Sequence, residues 1–92
     1  MAKTVRVLIE GRVQGVWYRG WAQDEAGRRG LDGWVRNRRD GSVEAVFSGD
    51  EAMVDAMIQA CRAGPPAVHV TRVSAEPWAE HPGFGFSQRP TA

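Results

Sequence analysis

Apolar residues follow two different spacings along this chain, and the order of those spacings restricts the fold more than any other feature. Val5, Val7 and Ile9 occupy every second position, which predicts a strand with one buried face. From Tyr18 to Arg29 the apolar residues recur at every fourth position, which predicts an amphipathic helix. A strand followed by a helix therefore opens the chain.

The middle of the chain predicts a hairpin. Apolar segments run from Gly33 to Arg38 and from Ser42 to Ser48, and each has the length of a strand. Between them lies Arg39-Asp40-Gly41, and Asp-Gly is a strong indication of a tight turn between antiparallel strands. We therefore expect these two strands to be neighbours in a sheet.

A second helix is predicted after the hairpin. Asp50 is its predicted N-cap, and Gly64-Pro65-Pro66 would end it. Its apolar stripe consists of Met53, Val54, Met57, Ile58 and Cys61. That stripe would face the same core as the first helix, because both helices must bury their apolar sides.

The end of the chain completes the pattern. Val68 to Glu76 reads as a fourth strand whose alternation slips near Arg72, which indicates a bulge. Phe84 and Phe86 predict a short closing strand. The order β-α-β-β-α-β predicts a single domain over residues 1–92, with the α+β ferredoxin-like split βαβ sandwich as its fold. In that fold an antiparallel sheet carries both helices on one face.

Composition narrows the class of protein. The 92 residues carry a net charge of only +1, which does not imply attraction to nucleic acid or to a membrane surface. Cys61 is the only cysteine, so an internal disulfide and a cysteine-based zinc site are excluded. The sequence contains no signal peptide and no apolar run of membrane-spanning length. We expect a cytoplasmic monomer.

Residues 11–19, Gly-Arg-Val-Gln-Gly-Val-Trp-Tyr-Arg, have the features of an anion site. They connect the first strand to the first helix, and a loop at a helix N-terminus presents backbone N–H groups that suit an anion. Arg19 adds a planar, permanently charged group that can grip phosphate oxygens in pairs. A cation is poorly placed at a helix N-terminus unless an anion is bound there, which favours a functional role for Arg19.

Asn37 is the second candidate functional residue. It ends the segment Gly33-Trp34-Val35-Arg36-Asn37, which is otherwise rich in apolar residues. Its carbonyl can accept a hydrogen bond from water while its amide donates elsewhere. Taken alone, an asparagine near a hairpin is more often a turn residue, and the glycines of residues 11–19 could merely permit a tight turn.

These segments resemble those of the acylphosphatases, small enzymes that hydrolyse carboxyl–phosphate anhydrides. The resemblance is carried by residues 11–19, by residues 33–37 and by Asp40-Gly41-Ser42-Val43-Glu44. The order of elements is similar from Val5 to Phe86. The resemblance implies that the chain splits small acyl phosphates, with inorganic phosphate as a product and with no metal or other cofactor.

The resemblance also assigns roles to residues. It implies that Arg19 and Asn37 are catalytic, with Arg19 binding the phosphate and Asn37 positioning the attacking water. The implied phosphate-binding segment consists of Arg12, Val13, Gln14, Gly15, Val16, Trp17, Tyr18 and Arg19. No side chain with a pKa near neutrality is required, and a phosphate oxygen of the substrate could take the proton of the water.

Other reactive side chains in the sequence have simpler interpretations. His69 and His81 match no metal-ligand spacing and are interpreted as structural or solvated. Cys61 lies on the predicted stripe of the second helix and is interpreted as a core residue. The alternative to an enzyme is a non-catalytic module of the same fold that binds an anion or RNA. Asn37 favours the enzyme, because simple binding does not need a water-orienting amide beside an arginine.

Overall fold

The computed structural model describes residues 1–92, and its secondary-structure elements follow the predicted order. The strands are β1 (Ala2–Arg12), β2 (Asp32–Asn37), β3 (Val43–Asp50), β4 (His69–Pro77) and β5 (Phe86–Gln88); the helices are α1 (Tyr18–Arg28) and α2 (Glu51–Ala63). Neither helix has the length and apolarity needed to cross a membrane.

The five strands form one sheet in the order β4-β1-β3-β2-β5. All neighbours are antiparallel except β2 and β5, which are parallel. The predicted ferredoxin-like fold is confirmed, and its antiparallel sheet has one parallel pair at the edge, between β2 and β5. The chain after β4 has to cross from the opposite edge, so no tight turn fixes the direction of β5. The closing strand also excludes Phe84, which is 96% exposed.

The predicted bulge is present in β4. Glu10 pairs with Arg72, and the next residue of β1, Gly11, pairs with Val70. Thr71 is therefore the extra residue of β4. The bulge lies where β1 approaches the loop that leads to α1, so it shapes the sheet beside that loop.

Both helices pack on one face of the sheet, as predicted. Helix α1 contacts β2 and β5, while α2 contacts β1, β3 and β4. The buried helical residues are Tyr18, Gly20, Ala22 and Ala26 of α1 and Val54, Met57 and Cys61 of α2. The predicted stripe of α2 was one residue too wide, because Met53 is 39% exposed. Met53 is rotated about 100° from Val54 and so faces solvent.

The other face of the sheet, which we call the open face, carries charged residues. Glu44 lies there with its side chain only 4% exposed. Arg6 and Arg36 each donate a hydrogen bond to its carboxylate, and a guanidinium nitrogen of Arg38 lies 3.7 Å from it. Burial opposes ionisation, but the hydrogen bonds from the arginines outweigh it and lower the pKa of Glu44.

Trp34 is an aromatic residue of the open face. The guanidinium carbons of Arg36 and Arg89 lie 4.8 and 4.7 Å from the centre of its ring. Only 6% of Trp34 is exposed. The two arginines therefore cover an indole that would otherwise meet solvent, a cation–π arrangement.

Candidate active site

A pocket of about 300 Å³ opens where the loop between β1 and α1 meets the end of β2. Its lining residues are Val13, Gly15, Trp17, Tyr18, Arg19, Gly20, Asn37 and Gln88. The fold thus brings Arg19 and Asn37 to one cavity, although they come from different elements. The predicted residues Arg12, Gln14 and Val16 do not line it.

The loop backbone turns sharply between strand and helix. Gly15 and Trp17 have φ angles of 73° and 63°, in the left-handed region. Glycine adopts that conformation freely, whereas a tryptophan there is strained. None of the backbone N–H groups from Gln14 to Gly20 donates a hydrogen bond within the chain. The loop and the first turn of α1 therefore hold a run of donors available to an anion.

The N-termini of the two helices differ in charge. Helix α2 has Asp50 as its N-cap residue and Glu51 in its first turn. Asp50 occupies the predicted cap position, but its side chain makes no capping hydrogen bond. Helix α1 has no acidic residue in its first turn and no side-chain cap, and it carries Arg19 there instead. Only α1 thus leaves the positive end of its dipole without a compensating negative group.

Arg19 is half-buried, and its side chain forms neither a hydrogen bond nor an ion pair with any other residue. A half-buried guanidinium without a partner is costly unless it serves a ligand. Its five N–H donors in a rigid fork match the oxygens of a phosphate group. The geometry therefore agrees with the predicted phosphate-binding role, which itself remains a prediction.

Asn37 is the last residue of β2 and lies on the same side of that strand as the buried Val35. Its side chain makes no hydrogen bond, but its backbone is held firmly. The amide of Ala92 donates to the Asn37 carbonyl at 3.0 Å, and the amide of Arg39 donates to the Ala92 carbonyl at 2.8 Å. The last residue therefore fixes the chain around Asn37 while leaving its side-chain amide available to water.

The side chain of Gln14 is bound to the hairpin, so only its backbone N–H is available to a phosphate. Its Nε2 donates to the carbonyl oxygens of Arg38 and Ser42, at 2.7 and 2.8 Å. Both amide hydrogens are therefore engaged, and the side chain cannot also donate to a phosphate. The bonds join the loop to the β2–β3 hairpin immediately beyond Asn37. Gln14 thus fixes the distance between the loop and Asn37, a role that the sequence did not predict.

The side chain of Tyr18 also points away from any direct contact with phosphate. The residue is 1% exposed, and its hydroxyl donates to the Cys61 carbonyl at 2.8 Å. Burial raises the pKa of Tyr18 and raises the pKa of the Cys61 thiol to about 12. Tyr18 can therefore contribute to the pocket through its backbone, and Cys61 is the buried core residue that was predicted.

The remaining titratable candidates lie outside the pocket. Arg12 is exposed at the end of β1, where it pairs in register with His69 of β4. His81 accepts a hydrogen bond from the Gly83 amide and lies 3.8 Å from Asp32. No group of three or more His, Cys, Asp or Glu side chains lies close enough together to hold a metal ion.

Two lining residues were missed by the sequence analysis. Gly20 carries a signal in the sequence, because glycine is unfavourable inside a helix and its presence there indicates a packing or functional role. Gln88 had no such signal: its amide donates to Gln23 at 3.0 Å, and only the parallel pairing of β5 brings it to the pocket.

Fold and pocket together define an α+β domain whose pocket holds an unpaired arginine side chain beside unpaired backbone donors. A sequence model of the acylphosphatase family matches residues 5–88. An acylphosphatase of Rhodospirillum rubrum is 55% identical over 89 residues, which cover 97% of this chain and 98% of the relative.

Solved structures give the same result. An acylphosphatase from Coxiella burnetii has a TM-score of 0.92 at 30% identity. The match covers 96% of this chain and 93% of the Coxiella chain. An acylphosphatase from Bacillus subtilis has a TM-score of 0.89 at 38% identity, with coverages of 97% and 99%. The chain belongs to the acylphosphatase family, the hydrolases that split acyl phosphates into a carboxylate and inorganic phosphate.

Proposed function

We propose that the pocket is the active site and that the chain there hydrolyses the carboxyl–phosphate bond of acyl phosphates. One observation carries the proposal. Arg19 and Asn37 line the same cavity, and neither side chain forms a bond within the protein. They lie beside a run of unpaired backbone donors, from Gln14 to Gly20. Donors, a fork-shaped cation and a neutral amide are the groups that this hydrolysis needs.

In this proposal the phosphoryl group is bound by the backbone of the loop and by Arg19. The N–H groups from Gln14 to Arg19 would donate to its oxygens, and Arg19 would neutralise the charge that develops in the transition state. Arg12 is exposed and unpaired, so its contribution would be to attract the anion from solution. These groups are fixed before the substrate arrives and need no reorganisation during the reaction.

Asn37 would orient the nucleophile. Its carbonyl oxygen accepts a hydrogen bond from a water molecule, whose oxygen attacks phosphorus in line with the acyl oxygen. The bond from phosphorus to the acyl oxygen breaks, and its electron pair leaves with the carboxylate. The proton of the water passes to a phosphate oxygen. A carboxylate is a good leaving group, so no general acid is required.

The open face supports the proposal that nucleic acid is not a ligand. RNA-binding sheets of this fold stack bases on exposed aromatic side chains. Here Trp34 is covered by Arg36 and Arg89 and cannot offer a ring to a base. We also propose that the chain acts as a monomer, because a single copy supplies both Arg19 and Asn37 to the pocket. The monomeric state can be checked by light scattering, and the cytoplasmic location stays a prediction.

The proposed function is tested by phosphate release from acetyl phosphate and benzoyl phosphate. We expect rates far above spontaneous hydrolysis for both, and little release from p-nitrophenyl phosphate, an ester whose leaving group gains more from acid assistance. Inorganic phosphate should inhibit competitively. A folded protein that binds phosphate but does not exceed the spontaneous rate would instead be the non-catalytic anion-binding module.

A further inference from the structure

Trp17 is the large apolar side chain that the phosphate-binding proposal leaves unexplained. It is 66% exposed, although it lines the pocket beside Arg19. The other large apolar residues with substantial exposure, Met1, Met53 and Phe84, do not line this pocket. An exposed indole at the mouth of a polar cavity is a surface for an apolar group of a ligand.

The indole of Trp17 packs against Gly20 of α1. A Cβ atom added at Gly20 would overlap the Nε1, Cε2 and Cδ1 atoms of Trp17. The ring therefore lies directly against the bare backbone of the first helical turn. Gly20 is unfavourable for a helix, and the φ of 63° is unfavourable for Trp17. Both local costs accompany one contact, in which the indole lies against Gly20 at the wall of the pocket.

The pocket has room for more than a phosphate group. Its volume is about 300 Å³. A water molecule takes up about 30 Å³ in the liquid, so the five non-hydrogen atoms of phosphate fill only part of it. The loop donors and Arg19 supply the polar contacts, and Trp17 supplies the apolar wall.

We propose that the indole of Trp17, seated on Gly20, forms an acyl-group subsite that favours acyl phosphates with a flat aromatic acyl group. This inference rests on the proposed function and adds the class of substrate. An aromatic acyl group stacks on the indole while its phosphate lies in the loop. An acetyl group is too small to use the same surface, so the two substrates differ mainly in this one contact.

The experiment compares benzoyl phosphate with acetyl phosphate in the parent protein, Trp17→Ala and Gly20→Ala. Gly20→Ala displaces the indole without changing Trp17 or any proposed catalytic residue, and alanine favours the helix. We expect the ratio of kcat/KM for the two substrates to fall about three- to tenfold in both variants, the effect of one aromatic contact. Phe84→Ala, which removes an exposed aromatic residue outside the pocket, should leave the ratio unchanged.

A second measurement does not depend on turnover. Benzoylmethylphosphonate and acetonylphosphonate replace the scissile oxygen with carbon, and calorimetry gives their dissociation constants. We expect the benzoyl compound to lose more affinity in both variants than the acetonyl compound and inorganic phosphate do. An unchanged preference in both variants, or an equal loss for both ligands, would overturn the subsite. A parent protein that binds both phosphonates but hydrolyses neither substrate would refute the proposed function instead.

Discussion

The pocket and the open face both hold arginine, but its environment differs between them. On the open face, Arg6 and Arg36 donate hydrogen bonds to Glu44, and Arg36 also covers Trp34. At the pocket, Arg19 has no carboxylate partner and lies beside amides that also lack acceptors. The charges of the open-face arginines are neutralised by Glu44, whereas the charge of Arg19 is available to a bound anion.

The difference teaches which arginines can act on a substrate. If a guanidinium moves away from a buried carboxylate, the carboxylate charge is left without compensation in a low-dielectric environment, which is costly. Arg19 is not restrained in this way, so its interaction energy is available to a bound anion. We therefore expect changes on the open face to alter stability, and changes at the pocket to alter activity.

The largest expected effect is that of Arg19→Lys. Lysine keeps the charge but loses the fork that grips two phosphate oxygens, so we expect kcat/KM for acetyl phosphate to fall about 10³-fold. The free energy of unfolding should change little, because Arg19 has no partner to lose. Arg6→Lys on the open face is the matched control and should retain activity. Near-normal turnover in folded Arg19→Lys would contradict the proposed role.

Asn37→Ala should have the next largest effect. It removes the group that orients water but leaves the phosphate-binding loop intact, so we expect kcat to fall about 10²-fold. The inhibition constant of inorganic phosphate should stay close to that of the parent. Gln59→Ala, which removes an exposed amide from α2, serves as the control. If phosphate affinity fell while kcat held, Asn37 would be a binding residue.

Glu44→Gln tests the other side of the comparison. We expect it to lower the free energy of unfolding by about 1.5–3 kcal/mol near neutral pH, because hydrogen bonds to a charged carboxylate are lost. Activity of the folded fraction should be retained. Urea unfolding of the parent and the variant gives both free energies, with intrinsic fluorescence as the probe.

The same variant has an expected pH dependence. The folded-state pKa of Glu44 lies below its ordinary value of 4.5, so its stabilisation is present above that pH and is lost as the pH falls through the folded pKa. The difference between parent and variant should therefore shrink below about pH 4.5. Hydrogen bonds from Ser42 also lower the pKa of Asp40. Asp40 is present in both proteins, so its contribution cancels in the difference between parent and variant. A constant difference down to about pH 3 would exclude an ionised Glu44 as the cause.

The smallest expected effect is that of chelation and of the histidines. The proposed mechanism uses no histidine or carboxyl group as a base, so kcat should have no protein-derived limb between about pH 5.5 and 8. EDTA, His69→Gln and His81→Gln should each leave kcat unchanged, after the ionisation of the substrate is titrated separately. A limb that vanishes with one histidine, or activity restored by added Mg²⁺, would require a different mechanism.

The sequence predicted the parts of the molecule that depend on local patterns. The alternation of Val5, Val7 and Ile9 and the Asp40-Gly41 turn are local, and the structure confirms both. The parallel direction of β5 could not be predicted, because a strand of three residues carries no information about which strand it joins. The prediction that Met53 belongs to the buried stripe was wrong, because periodicity gives the direction of the stripe on the helix but not its width.

The candidate site divides in the same way. Arg19 and Asn37 were found because each stands out against its own segment. The bonds of Gln14 to the hairpin, and of Ala92 to the backbone around Asn37, join residues far apart in sequence. Such bonds depend on register and on chain path, which no local pattern encodes. For the same reason, the sequence could not show which arginines pair with Glu44 and which have no carboxylate partner.

The bonds of Ala92 also affect when the site can form during synthesis. Asn37 is translated early, but the amide that holds its carbonyl belongs to residue 92. β1, the first strand made, has β4 as one of its two neighbours, so the sheet also waits for the last third of the chain. A domain with such distant pairings folds after most of it has left the ribosome. The bonds around Asn37 can therefore form only after residue 92 has been synthesised and can reach the sheet.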